Sequence, residues 1–271
     1  MMSLNSSTPN DVKKSHALYT NLIERLRSMP GVRSAALAQD KPFGGLNNVS
    51  TNLTIEGYEL PANQSSTPIR SAFVSPGYFE ILDIPMIRGR AFDGRDGANA
   101  PRTVIINQTM AERYWPNRDP IGARVEIKGD NGGPAEVVGV ARTVKYGGMN
   151  ERPMDFLYRS YYQCSETYAA LLVETEGNPE AMTSAVRNEL QNKEPNVAVF
   201  DVRTMKNQFR ENGLLETRLG AQMFTPLGAV ALILGILGLY GVITYSVGQR
   251  TYERSGFAWR SEPRIGRLCE W

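Results

Sequence analysis

Between Asp11 and Met29 apolar residues recur at helical spacing, with Leu18, Leu22, Leu26 and Met29 on one face. Thr8-Pro9-Asn10 supplies entry signals and Pro30-Gly31 a stop, so the pattern predicts an amphipathic helix leading into a strand over Val32 to Gln39. The same order returns late in the chain. Tyr168 to Glu174 reads as a strand, and Asn178-Pro179 opens a helix carrying Met182, Val186 and Leu190 on one face. Glu194-Pro195-Asn196 ends that helix before a strand over Val197 to Val202. R-L-R-S-M-P-G-V and E-L-Q-N-K-E-P-N-V share the sequence helix, proline, turn residue, valine, strand. The two passages read as a βαβ pseudo-repeat whose first strand is Met2 to Asn5 or lies upstream.

The interval between the repeats reads mainly as strands: Val49 to Gly57, Thr67 to Ser75, Arg102 to Ile106, Arg124 to Lys128, Glu136 to Arg142 and Met154 to Tyr162. Gly129 to Pro134 has hairpin-turn chemistry. Short helices fit Tyr78 to Leu82 and Gln108 to Tyr114, the latter with Asn107 as N-cap. The predicted class is therefore α+β, a split βαβ domain with an inserted strand-rich subdomain.

A different pattern follows. From Leu219 to Gln249, between Arg218 and Arg250, no residue is charged, and Pro226 to Val247 is almost wholly apolar. A helix over that stretch would be about 33 Å long, enough for a hydrocarbon core of about 30 Å. Gly228, Ala231, Gly235 and Gly238 put small side chains on one stripe, as in helices that pack closely in lipid. Arg250, Arg254, Arg260, Arg264 and Arg267 follow the span, against Lys206, Arg210 and Arg218 before it. This bias places the tail in the cytoplasm and residues 1 to 218 outside. Because the N-terminus has neither a charged n-region nor an apolar h-region, an upstream transmembrane helix is expected.

Composition adds exclusions. The 271 residues are 41% hydrophobic, enough for a real core. The formal net charge of +2, from 30 basic and 28 acidic residues spread along the chain, implies no nucleic-acid face. Cys164 and Cys269 are far apart and form neither a disulfide framework nor a metal-ligand pattern. The one histidine, His16, sits on the first helix among polar neighbours, which leaves no material for a His-based nucleophile, base or metal site. Asp93 and Asp96 alternate with glycine and arginine and read as a solvated loop. Glycine pairs at Gly44-Gly45 and Gly132-Gly133 lack the lysine of a phosphate loop. Sequons at Asn5, Asn48, Asn52, Asn63 and Asn107 carry no support for glycosylation, and Asn107 already has its capping role. No catalytic set, metal site or cofactor is expected.

Residues 72 to 122 carry the most specific signal: A-F-V-S-P-G-Y-F-E-I-L-D-I-P-M-I-R-G-R-A-F, then T-V-I-I-N-Q-T-M-A-E-R-Y-W-P-N-R-D-P-I-G. The stretch closely resembles the periplasmic core domain of MacB/FtsX-type ABC transporter permeases, particularly the large orphan permeases built from two such halves. The match runs through Pro76-Gly77-Tyr78-Phe79, Pro85, Arg88-Gly89-Arg90, Phe92, Asn107, Ala111, Pro116 and Asp119-Pro120-Ile121-Gly122, then Val138-Gly139-Val140 and Tyr158. It covers nearly the whole chain up to Glu253. At Arg159-Ser160 a proline usual in the family is missing.

The resemblance implies a porter-like βαβ part at 1–41 and 166–217 around a strand-rich insertion at 42–165. A transmembrane helix at 218–249 and a tail at 250–271 would follow. It also implies mechanical chemistry: a separate ABC ATPase drives the helices, and the periplasmic domain moves to pass substrate or transmit a signal. Expected partners are the membrane, that ATPase, other permease helices and a periplasmic or outer-membrane protein. The expected location is the bacterial inner membrane.

After Q-R-T-Y-E the family continues I-G-I-R-M-A-L-G-A, whereas this chain reads R-S-G-F-A-W-R-S-E-P-R-I-G-R-L-C-E-W. One codon choice for Gly256 to Trp271, read two bases later, gives I-R-M-A-L-G-A-P-D-R-Q-V-V-R-M, similar to the family's coupling segment. A frameshift from residue 254 is therefore expected, with loss of the two remaining helices. The leading reading is a truncated permease-like subunit of an ABC-type exporter or mechanotransmitting complex. The alternative is a membrane-anchored periplasmic binding or adaptor module working without an ATPase. An envelope enzyme would need a site built from Asp, Glu, Ser and Tyr without histidine.

Overall fold

The computed structural model describes residues 2–6, 12–39, 50–58, 64–129, 132–146, 151–163, 168–193, 197–210 and 215–258. Several expected features lie outside them: the entry signal Thr8-Pro9-Asn10, the turn residues Asp130 and Asn131, the stop Glu194-Pro195-Asn196, Gly44-Gly45, Asn48, Asn63, both cysteines, and the tail beyond Ala258. The chain forms two compact units, Met1–Leu215 and Glu216–Trp271.

In the first unit β1 (Met2–Ser6), α1 (Val12–Ser28) and β2 (Val32–Ala38) are followed at a distance by β10 (Tyr168–Thr175), α4 (Pro179–Lys193) and β11 (Val197–Phe200). These four strands lie in the order β11-β1-β10-β2, with every neighbour antiparallel. Consequently β1 and β2 run the same way on either side of β10, and β10 and β11 do so on either side of β1. On the buried side Ala35 and Leu37 of β2 and Ala169 and Leu171 of β10 meet the apolar faces of the two helices, including Val186 and Leu190 of α4. Period-two alternation explains why the neighbours Ala36, Ala38 and Leu172 belong to a different core.

The inward face of α1 differs from the one the leucines suggest. Tyr19, Leu22, Ile23 and Leu26 are buried, while Leu18 and Met29 are only partly so. His16 falls on this inward face, one turn before Tyr19, and is buried with its ring centroid 5.4 Å from that of Tyr161. Burial pushes its imidazole below the ordinary value, which keeps it neutral as a packing residue.

The middle of the chain supplies β3 (Ser50–Ile55), β4 (Thr67–Val74), α2 (Tyr78–Ile81), β5 (Met86–Gly89), β6 (Thr103–Asn107), α3 (Gln108–Tyr114), β7 (Arg124–Ile127), β8 (Gly133–Ala141) and β9 (Phe156–Ser160). Pairing runs β4-β3-β7-β8-β6-β9 and returns to β4 through a parallel β4–β9 ladder, so the six strands close into a ring. Leu53 and Ile55 alternate with exposed or half-exposed neighbours along β3, and Val104, Ile106, Val125, Ile127, Val137 and Leu157 complete the same core. Met110, Tyr114 and Trp115, from α3 and its C-cap, pack into it. Thr51 and Ser71 are buried, and their hydroxyls satisfy one another at 2.6 Å.

Among the described residues the ring joins the four-strand group at the β2–β4 pairing of Ala38 with Val74, where Gln39 N also donates to Phe73 O at 2.7 Å. Ser75 reinforces the junction: its N–H donates to Leu37 O at 2.9 Å, and its hydroxyl accepts from Leu37 N at 2.8 Å. The strand β5 is not predicted by the sequence, because Arg88-Gly89 breaks the apolar pattern; among the described residues it is an edge strand paired with β8.

The second unit contains α6 (Leu215–Ala258), a helix of 44 residues and about 66 Å. Phe224–Tyr245 is long and apolar enough to cross a membrane, with 22 residues and mean hydropathy 2.3. Its described side chains are exposed, Leu227, Ile236 and Tyr240 among them. Within the span the Thr244 hydroxyl donates to Tyr240 O at 2.8 Å, which satisfies a polar group internally.

Candidate functional site

Pro76-Gly77-Tyr78-Phe79 forms the turn that starts α2. Gly77 adopts φ +88°, and a Cβ there would stand 2.8 Å from Arg27 Nη2. That nitrogen donates to Ala35 O at 2.9 Å and to Pro76 O at 3.3 Å, tying the turn to α1 and β2. Tyr78 and Phe79 are buried and enter an aromatic cluster with Phe92, Tyr146, Phe156 and Tyr158. The hydroxyls of Tyr78 and Tyr146 lie 3.3 Å apart, and Tyr146 donates to Tyr158 at 2.8 Å. Burial raises Tyr146 well above the usual phenol range, aided by the neighbouring tyrosines. Burial raises Tyr158 too, against the opposing bond from Tyr146. These hydroxyls therefore stay protonated, Tyr146 donating and Tyr158 accepting. Tyr146 stacks on Phe156 at 4.5 Å and 15°, and its backbone N–H donates to Glu151, which also pairs with Arg70 at 2.8 Å.

Beside Tyr146, at the edge of this cluster, lies a cavity of about 690 Å³. The end of α2 contributes Ile81, Leu82 and Ile84 to its wall, and β10 contributes Leu172 and Glu174. Met182 and Val186 of α4 face it, as do Val202, Arg203 and Met205 from the segment after β11. Val144, Lys145 and Tyr146 close the remaining side. Among the described residues only Asp83 and Asp201 are non-glycine residues at positive φ, +51° and +52°. Both flank this wall, Asp83 between Leu82 and Ile84, Asp201 immediately before Val202. Left-handed backbone at aspartate carries a local cost that the surrounding structure must hold in place.

The other motif residues converge elsewhere. Arg88 lies 3.7 Å from Asp119, and the Gly122 N–H donates to Val137 O at 2.8 Å. Gly89 (φ +68°) sits against Val138, Gly139 and Ile121, so R-G-R and D-P-I-G form one packed corner with β8, Pro120 included. Asp96 is not solvated as the glycine-rich pattern suggests, because its carboxylate is buried. It takes two bonds from Arg90, at 2.6 and 2.9 Å, and accepts from Thr103 Oγ1 and Asp93 N. Burial acts to raise its pKa, but these donors outweigh it and leave it below the ordinary value. Asp93 is held low mainly by the Arg95 side chain. The pair is thus occupied by arginines, and among the described residues no group of three His, Cys, Asp or Glu could hold a metal ion.

Asn107 is buried as well and staples the start of α3 to β9. Gly228, Ala231, Gly235 and Gly238 lie on α6 at spacings of three and four, and Cβ atoms added at the three glycines would meet nothing within 4 Å. Pattern reading brings α2 and Met182 into view only as core. It misses Lys145, Arg203 and Met205, whose convergence is tertiary. The available signal was the weak apolar face of α4, where Met182 is half-buried because it borders the cavity.

A model of the MacB-like periplasmic core domain family matches residues 3–193. The uncharacterized ABC transporter permease YknZ of Bacillus subtilis (strain 168) is 23% identical over 243 residues, covering 85% of this chain and 59% of the relative. The chain thus spans about three fifths of that curated relative's length. The periplasmic region of MacB from Actinobacillus actinomycetemcomitans shares the fold at TM-score 0.50 and 14% identity, over 78% of this chain and 92% of that one. The extracellular domain of the noncanonic ABC-type transporter YknZ from Gram-positive bacteria aligns at TM-score 0.45 and 18% identity, over 74% and 99%.

Proposed function

Because the chain belongs to the family of MacB-like periplasmic core domains, we propose that it works as a permease-like subunit of an ABC-type exporter or mechanotransmitting complex. A separate ATPase supplies the energy. The first unit stands in the periplasm and serves substrate passage or partner contact, while Phe224–Tyr245 holds it to the inner membrane. The observation that carries this reading is the succession of a family match over residues 3–193 and a 22-residue apolar helix. The arginine excess after the span supports a cytoplasmic tail and a periplasmic position for residues 1–218.

The order β11-β1-β10-β2, with two helices on one face, supports a split βαβ porter-like part at 1–41 and 166–217, and the closed ring supports a strand-rich insertion at 42–165. Packing against other permease helices is assigned to the stripe Gly228, Ala231, Gly235 and Gly238, where small side chains allow close backbone approach.

The test is isolation of the full chain from native membranes in mild detergent. An ABC ATPase that co-isolates, and whose ATP hydrolysis rate changes when the chain is stripped away, is the expected result. A chain that comes out intact with no nucleotide-hydrolysing partner would instead favour an adaptor working without an ATPase.

A further inference from the structure

We infer that the cavity beside α2 and α4 is the seat of an extended strand that continues β1 in line on its N-terminal side and completes the sheet by backbone pairing. The inference stands apart from the permease reading, since it concerns what enters the sheet and not what the chain transports.

The sheet itself locates the slot. β1 covers one edge of β10 only from Tyr168 to Leu171, whereas β2 covers the other edge from Ala170 to Thr175. Among the described residues no strand pairs with Leu172–Thr175 on the β1 side. These four consecutive residues all line the cavity. Successive side chains of a strand point to opposite faces. Leu172 accordingly belongs to the core beside α2, while Val173 packs on the core beneath α1 and α4. A single cavity touches both kinds of residue where it lies in the plane of the sheet, at the bare edge. The remaining walls agree with this position. Met182 and Val186 of α4 bound it on one face, Ile81, Leu82 and Ile84 on the other, and Val202–Met205, which follow β11, form the side opposite β10.

Backbone chemistry and direction fix the occupant. Alternate residues of a strand direct their N–H and C=O groups to the same edge, so two of the four residues at 172–175 present both groups to the slot. Backbone groups that leave water need partners, and another extended backbone serves such a row in register. The pairing of Met2 with Leu171, carried on past Met2, puts the next four positions, about 14 Å of strand, opposite Leu172, Val173, Glu174 and Thr175. A strand supplied by another molecule would have to stop where Met2 begins, whereas one continuous with β1 meets no such break. Its side chains face α4 on one side and the end of α2 on the other, so it is apolar or β-branched throughout. The consequence is mechanical: a pull on the polypeptide ahead of Met2 acts along β1, in shear across its ladders with β10 and β11.

The experiment uses the full chain in lipid nanodiscs and reads hydrogen–deuterium exchange at the amides of Leu172–Thr175. Two extended forms are compared with the parent. After an initiating methionine, one carries Val-Thr-Val-Thr directly ahead of Met2, and the other carries Gly-Pro-Gly-Pro, which cannot pair as a strand. The first should slow the slot-facing amides by about tenfold, and the second should leave them at the parent rate. M182W and T183F, two independent ways of filling the slot from α4, should each abolish that protection while the amides of β6 stay protected, which reports an intact fold. The free peptide acetyl-Val-Thr-Val-Thr-amide, added at equimolar concentration to the parent, should have no effect. Equal exchange in the two extended forms, or protection that survives both filling variants, overturns the slot. Protection by the free peptide equal to that by the attached one overturns the in-line strand in favour of one supplied by a partner.

Discussion

Gly89→Ala should destabilise the first unit by about 2–5 kcal/mol. At φ +68° an alanine costs about 1–2 kcal/mol in backbone conformation alone. Its Cβ would also stand 2.2 Å from Val138 O and 3.0 Å from Gly139 Cα, where neither neighbour is a flexible side-chain end. Relief requires β5 to move away from β8, which breaks the Arg90 N–H bond to Val138 O at 3.0 Å and disturbs the Arg90–Asp96 pair. Overpacking of this kind adds about 1–3 kcal/mol, so the total takes a large part of the ~5–15 kcal/mol that a domain has. Near-ultraviolet circular dichroism of the full chain during heating should show a much lower midpoint or no cooperative transition. Gly94→Ala is the control, since a Cβ there meets nothing within 4 Å and it should melt like the parent. A Gly89→Ala chain that melts with the control removes the packing account of this corner.

Asn107→Ala is expected to rank second. One side chain makes three hydrogen bonds, two of them buried: Oδ1 accepts from Met110 N at 3.0 Å and from Phe156 N at 3.1 Å, and Nδ2 donates to the part-buried Met154 O at 2.8 Å. Alanine removes the N-cap of α3 and strands backbone groups on two elements at once. A lost cap costs about 1 kcal/mol, and the buried Phe156 N–H left unpaired costs about 1–3 kcal/mol, for a sum near 2–4 kcal/mol. The neighbouring Gln108→Ala, which loses only an exposed contact to Glu112, should stay within about 0.5 kcal/mol of the parent in denaturant unfolding. Equal stabilities for the two variants would show that α3 and β9 do not depend on this staple.

Much of this fold is visible in local pattern. Capping chemistry identifies α3 with Asn107 at its start, and helical spacing identifies α1 and α4. What escapes is set by contacts between distant segments. The strand β5 has a polar, glycine-containing sequence and exists because Gly89 and Gly139 let two backbones approach closely. Asp96 reads as a loop acid, yet it is the buried partner of Arg90, six residues away, because Thr103 and the Asp93 N–H complete its shell. His16 has polar sequence neighbours, but helical geometry turns it inward onto Tyr161. Closure of the strand ring through the parallel β4–β9 ladder is likewise invisible locally, since residues 70–74 and 156–160 pair across more than eighty residues of sequence. The cavity is the extreme case, with walls from α2, β10, α4, and residues 144–146 and 202–205. The resemblance carried by residues 72 to 122 lies in a different class. It points to a family, and most of its residues are the glycines, prolines and buried side chains that hold the corners described above.

The central claim is that the first unit faces away from the cytoplasm on a chain anchored by Phe224–Tyr245. Two single-cysteine chains test it in spheroplasts with a membrane-impermeant maleimide. One is E112C, at an exposed position on α3, in a C164S/C269S background; the other keeps only the native Cys269. The account predicts a membrane-bound chain labelled at position 112 in intact spheroplasts and at Cys269 only after permeabilisation. Labelling of Cys269 but not position 112 in intact spheroplasts, or recovery of the chain in the soluble fraction, would contradict it.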